Sequence, residues 1–186
     1  LKQEHLDVCL LHEPTGSIWG RKIQEVARNG RQNLEPKQEF ELFHLDRKED
    51  VERHIIPALK KNMIVIMDRY YFSSVAYQGA LGLDPDFIEK ESEKIAPRPL
   101  LTIILDVPPR IALLRIKNRA GTKKNHFERE RYLTRVKKIF KERFEDRPDV
   151  AIIDGSRDID TVASEIMNIV RPLLKENYVS LKECSV

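Results

Sequence analysis

The stretch Met67-Asp68-Arg69-Tyr70-Tyr71-Phe72-Ser73-Ser74-Val75-Ala76-Tyr77-Gln78-Gly79-Ala80 holds the side chains best suited to chemistry. An apolar run, Met63–Met67, ends directly in a carboxylate and a guanidinium. In open α/β folds with parallel strands, ligands bind at this carboxyl edge of the sheet. An arginine there can grip a phosphate through two parallel hydrogen bonds, and an aspartate can hold Mg²⁺ through water or orient the arginine. A structural salt bridge at a strand end would use the same two residues, so Asp68 and Arg69 alone leave both readings open.

Four short aliphatic runs, Asp7–Leu11, Met63–Met67, Leu101–Leu105 and Val150–Ile153, alternate with longer amphipathic segments. Continuous apolar strands point to a parallel sheet covered on both faces, and the β–α–β–α order to the α/β class. Helices are predicted from Ser17 to Asn29, stopped by Gly30, and from Pro36 toward Leu59 with a kink at Pro57. Asp84-Pro85 starts another, ending near Ala96, and Pro108-Pro109 opens the next. Leu133, Val136, Phe140 and Phe144, then Val162, Ile166, Ile169, Val170 and Leu173, recur at helical spacing and are assigned to the core.

At 186 residues, the chain is expected to form one domain over residues 1–178, with a mobile tail over 179–186. Hydrophobic residues at 41% and charged residues at 34% describe a soluble globular protein. No run is long enough to span a membrane, no secretory signal opens the sequence, and the cytoplasm is the expected compartment. Cys9 and Cys184, the two cysteines, form neither a disulfide framework nor a zinc pattern. The net charge of +3 conceals a local excess: Arg110 to Arg143 contains 13 Lys or Arg against three Glu. That segment could attract a polyphosphate or a nucleic acid, or form solvated helix faces.

Three blocks together resemble the thymidylate kinase family of P-loop nucleoside monophosphate kinases. The Asp-Arg-Tyr and Ala-Tyr-Gln-Gly segments of residues 68–79 match its third strand end and the helix that follows. Glu41-Leu42-Phe43-His44-Leu45-Asp46-Arg47 is similar to its Leu-Phe-x-x-Asp-Arg helix, and Leu105-Asp106-Val107-Pro108-Pro109 to its Leu-Asp-Val-Pro-Pro strand end. Glu13-Pro14, Phe127-Glu128 and Ile153-Asp154 match in the same order. The resemblance implies a three-layer α/β/α fold of P-loop NTPase type, ATP and Mg²⁺ as cofactors, thymidine monophosphate as substrate, and a homodimer. It does not imply a nucleic-acid or membrane partner.

Carried over by position, the resemblance implies that Phe43 stacks on thymine and Arg47 bonds the base. Arg69 would bind the acceptor phosphate, with Asp68 beside it near the metal. Ser74, Tyr77 and Gln78 would line base and sugar, Tyr77 where a ribose 2′-hydroxyl would clash, and Glu13-Pro14 would complete the acceptor side. Read without the resemblance, Phe43 is a core helix residue and the polar trio an ordinary helix start. Residues 115–126 resemble the family lid. Arg119 is the first choice for a transition-state contact, followed by Lys123 and Lys124. Arg115 would pack on adenine, and Asp154 belongs to the same donor side.

The pattern also departs from the family. None of the seven glycines (Gly16, Gly20, Gly30, Gly79, Gly82, Gly121, Gly155) begins the Gly-x-x-x-x-Gly-Lys-Ser/Thr loop that cradles ATP phosphates. Together with the initial Leu1, this suggests a chain that enters after that loop, and one that could be inactive alone. His12 stands where the family usually has Arg, and Arg110 where it favours Glu. Alternatives are a kinase for a related deoxynucleoside or nucleotide, a nucleotide-binding relative without catalysis, and a nucleic-acid module built on the basic segment.

Overall fold

The structure, a computed structural model, describes residues 6–29, 34–120 and 126–183. Where the sequence suggests one domain, the chain groups into two compact units, Leu1–Arg98 and Pro99–Val186.

In the first unit β1 (Val8–His12) is followed by α1 (Ile18–Asn29), α2 (Pro36–Asp50), a π-helical turn (Val51–Ile55) and α3 (Ile56–Lys60). Then come β2 (Ile64–Asp68), α4 (Tyr71–Gly79) and α5 (Pro85–Glu93). β1 and β2 pair in parallel with Val8 opposite Ile64 and His12 opposite Asp68. The Glu13 amide continues the ladder by donating to the Asp68 carbonyl at 3.0 Å. Both strands therefore deliver their polar ends to one edge, which brings Glu13 beside the Asp68-Arg69 turn.

The second unit contains β3 (Thr102–Asp106), α6 (Pro109–Ala120), α7 (His126–Phe144), β4 (Val150–Asp154) and α8 (Ile159–Glu183). β3 and β4 are also parallel, ending in aligned Asp106 and Asp154. Gly155 follows directly: a Cβ there would lie 2.9 Å from Val107 Cγ2 and 3.0 Å from Leu105 Cβ, so the close turn requires glycine. α8 continues past Tyr178, into the segment expected as a tail, and the Gly30 stop expected for α1 lies outside the described residues.

The strands begin and end one residue later than the apolar runs suggested in three cases, because the ladder carries on through His12, Asp68 and Asp106. Coverage on both faces is not met everywhere: Leu10 and Leu105 remain 68% and 51% exposed. Among the described residues each sheet has two strands, so each strand has a hydrogen-bonded neighbour on one side. The kink expected at Pro57 takes a definite form. A proline ring clashes with the carbonyl four residues earlier and offers no N–H. The preceding turn is widened, with the Ile56 amide bonding the Val51 carbonyl, and Pro57 falls in the first turn of α3, where no donor is needed.

Candidate active site

α2 buries charge where an ordinary amphipathic helix would bury aliphatic groups. Glu39, Asp46, Arg47 and Asp50 are all buried, on one helical face with Phe40. Such a face is stable only when every charge finds partners. Asp46 accepts from the Thr15 amide at 2.8 Å, the Thr15 hydroxyl at 2.5 Å and the Ser17 hydroxyl at 2.6 Å, and so fastens the loop after β1. That loop starts with the cis Glu13-Pro14 bond and packs so closely on α1 that a Cβ at Gly20 would meet the Thr15 carbonyl oxygen at 2.0 Å.

Arg47 is completely enclosed. Its Nε donates to Glu13 Oε1 at 2.9 Å and Nη2 to Glu13 Oε2 at 2.6 Å, a two-point pair. Nη2 also reaches Ser74 Oγ at 2.9 Å, and Nη1 reaches Ser92 Oγ at 3.4 Å. Burial raises the Glu13 pKa above its ordinary value, with the Arg47 charge pulling in the opposite direction.

Between these supports lies a cavity of about 240 Å³ lined by Glu13, Glu39, Phe43, Arg69, Ser73, Ser74, Tyr77 and Gln78. Phe43 supplies its aromatic wall, from the same face of α2 as Glu39. Ser74 and Gln78, one turn apart on α4, stand on the other wall, and Gln78 Nε2 donates across to Glu39 Oε1 at 3.0 Å.

Arg69 has φ +67°, the left-handed region that a residue with a Cβ rarely enters. Such a conformation costs about 1–3 kcal/mol and persists where the surroundings impose it. Here it follows the last residue of β2, and the Arg69 guanidinium lies 5.3 Å from the Tyr77 ring centroid. The residue is exposed and, among the described residues, has no carboxylate partner. An exposed guanidinium at the rim of a cavity is an anion receptor. Asp68, also exposed, precedes it on the strand.

Over residues 1–166 the sequence matches the family model for thymidylate kinase. The chain belongs to the thymidylate kinase family. It is 40% identical over 185 residues to a probable thymidylate kinase of Archaeoglobus fulgidus, covering all of this chain and 88% of that protein. It is 41% identical over 170 residues to a thymidylate kinase of Xanthomonas campestris pv. campestris (strain B100), covering 91% of this chain and 72% of that protein. A thymidylate kinase of Xylella fastidiosa (strain M12) is 38% identical over 170 residues, covering 91% and 76%. Membership of this family assigns the chain to the P-loop NTPase type of α/β fold, consistent with its parallel strand pairs.

Of the residues singled out for the acceptor side of the family site, Glu13, Phe43, Arg69, Ser74, Tyr77 and Gln78 line one cavity. Pro14 and Arg47 are not among its lining residues. The Arg47 guanidinium, expected to bond the base, is fully buried and holds Glu13 and Ser74 in place. Glu39, Thr15 and Ser17 escaped the sequence reading, and Asp46 and Ser73 entered it only within quoted motifs, without a role. The Thr15-Gly16-Ser17 loop beside Glu13-Pro14 was the available hint, since its hydroxyls need an acceptor once buried.

In the second unit, Arg115 donates from Nη1 to the Gly155 carbonyl at 2.6 Å and from Nη2 to the Ser156 carbonyl at 3.0 Å, clasping the turn after β4. Asp154 Oδ1 accepts from the Ser156 amide at 2.9 Å and hydroxyl at 2.6 Å, which holds its pKa below the ordinary carboxylate value. Arg115 and Asp154, two of the residues expected on the donor side, thus fix one turn. Arg119 belongs to the last turn of α6. Lys123 and Lys124 lie outside the described residues, as do the side chains of Arg119, Phe127 and Glu128. Part of the basic excess is neutralised locally: Arg110 pairs with Glu130 at 3.0 Å and Lys137 with Asp106 at 2.7 Å.

Proposed function

We propose that this chain transfers the γ-phosphoryl group of ATP to thymidine monophosphate, giving thymidine diphosphate. The observation that carries this reading is the cavity itself, with an aromatic wall at Phe43, a polar wall on α4 and at its rim an arginine that has no carboxylate partner among the described residues.

In this reading the base stacks on Phe43, and the Tyr77 ring packs against the sugar, disfavouring a 2′-hydroxyl. Arg69 takes the acceptor phosphate with its guanidinium, fixing the oxygen that attacks and neutralising its charge. Phosphoryl transfer depends mainly on such positioning and charge stabilisation. Arg119, with Lys123 and Lys124, supplies cations to the moving group, while Arg115 and Asp154 shape the donor side.

No group of three or more His, Cys, Asp or Glu among the described residues could form a protein cage for a metal. In this reading Mg²⁺ would be held by one carboxylate, that of Asp68, exposed at the end of β2, together with water and substrate phosphates. When bound, Mg²⁺ neutralises charge on the donor phosphates. No helix among the described residues is long and apolar enough to cross a membrane, and we assign a cytoplasmic homodimer on the family resemblance.

The test is ADP release by the protein as its natural source produces it, with thymidine, its monophosphate and uridine monophosphate compared as acceptors. Release that depends on thymidine monophosphate and is absent with thymidine supports the proposal. No release with the monophosphate overturns it.

A further inference from the structure

The second unit carries an open groove of about 540 Å³ between α6 and α7, lined by Arg110, Glu130, Arg131, Thr134 and Arg135. It shares no lining residue with the acceptor cavity. Three guanidinium groups stand there against one carboxylate, which Arg110 holds at 3.0 Å. The Thr134 hydroxyl donates to the Glu130 carbonyl at 2.8 Å, so the donors offered by the groove are guanidinium groups.

Two of these placements run against local helix energetics. Arg110 lies in the first turn of α6, the end of a helix that favours negative charge. Arg131 and Arg135, both exposed, are one turn apart on α7, where like charges destabilise a helix. Local rules broken together at one place are expected where the residues serve a ligand.

The charge names the chemistry of that ligand, because guanidinium groups bind phosphate oxygens in pairs of parallel hydrogen bonds. The surplus is also local. Further along α7, Lys137 pairs with Asp106 at 2.7 Å, Lys138 with Glu142 at 3.6 Å and Lys141 with Glu145 at 3.7 Å. A nucleic-acid strand draws on cations spread along its backbone, whereas a short chain of phosphates needs only a groove of this size. We infer that the α6–α7 groove is an oligophosphate-binding site, in which Arg110, Arg131 and Arg135 take two or more linked phosphate groups. The inference does not rest on the proposed kinase activity.

Titration of the full chain, isotope-labelled at arginine, with inorganic tripolyphosphate at about 150 mM salt reads the side-chain Nε–H signals under physiological screening. Saturable shifts are expected at Arg110, Arg131 and Arg135, with orthophosphate bound about tenfold more weakly or worse because it meets fewer guanidinium groups. Arg131→Gln/Arg135→Gln, read at Arg110, should weaken tripolyphosphate by about tenfold or more. The same change should not lower the unfolding temperature, since it removes a like-charged pair. Should that variant fail to fold, Arg110→Gln, read at Arg131, tests the same loss. Adenosine triphosphate separates the sources: binding here as tight as tripolyphosphate points to the phosphates of a nucleotide, weaker binding to an inorganic chain, and either supports the site. Shifts that never saturate, equal affinity for the two inorganic phosphates, or affinity unchanged in the folded variants would mean an adventitious ion only and overturn the inference. Tighter binding of single-stranded DNA or RNA at these signals would overturn it in favour of a nucleic-acid surface.

Discussion

The Arg47 guanidinium and the Glu13 carboxylate face each other in a two-point ion pair, at 2.9 and 2.6 Å, that joins the last turn of α2 to the loop after β1. Glu13 also lines the cavity, so the pair fixes part of the site wall from inside the protein. Removing one member strands the other charge in a dry interior, which typically costs about 3–5 kcal/mol. Arg47→Met should therefore lower unfolding stability by about that amount, and the double change Arg47→Met/Glu13→Leu by clearly less. Urea unfolding of the two variants checks the ordering.

Arg69 separates stability from function. Glycine adopts φ +67° without the Cβ penalty, so Arg69→Gly should raise stability by about 1 kcal/mol. With Arg69 taking the acceptor phosphate as proposed, the same change would remove that charge-assisted contact, and kcat/KM for thymidine monophosphate should fall by roughly ten- to a hundredfold. Thermal unfolding and steady-state kinetics on one preparation would show the two effects moving in opposite directions.

Base stacking on Phe43 gives a third expectation. Aromatic stacking on a nucleobase contributes about 1–3 kcal/mol, so Phe43→Ala should weaken thymidine monophosphate binding by roughly five- to 150-fold. Phe43→Tyr should retain most of the affinity. Calorimetric titration of both variants measures the difference.

Asp50 provides a pH signature. Burial raises its pKa above the ordinary 3.8, against a smaller opposing effect from the His54 hydrogen bond at 2.7 Å. The folded state consequently holds this proton to higher pH than the unfolded state does. The resulting stabilisation is complete below the unfolded pKa and disappears as pH rises through the folded one. Relative to Asp50→Asn, the unaltered chain should lose stability with rising pH across that window and run parallel to it above. Urea unfolding from roughly pH 3 to 7 is the measurement.

The four strands and most helix starts were legible because apolar runs and prolines act locally. Pro36, Pro85 and Pro109 all fall at helix starts. The π-helical turn before Pro57 was legible only as a kink, since its width depends on how the neighbouring turns repack. Phe43, Arg69, Ser74, Tyr77 and Gln78 could be named from the resemblance, but their convergence on one cavity is a property of the α2–α4 packing. The inward-facing charge of α2 was illegible for a related reason. Asp46 and Arg47 could be quoted as part of a family motif, but their partners Thr15, Ser17 and Glu13 are brought to them from far along the chain.

The central claim is that thymidine monophosphate occupies the cavity walled by Phe43 and α4. Intermolecular nuclear Overhauser effects from the thymine methyl to the isotope-labelled chain test it most directly. The account predicts cross-peaks to the Phe43 ring and to Ser74 or Gln78, together with a phosphate-dependent shift at Arg69. Cross-peaks confined to other residues, such as the Arg110–Arg135 surface of α6 and α7, or saturation with no cross-peak to Phe43, would contradict it.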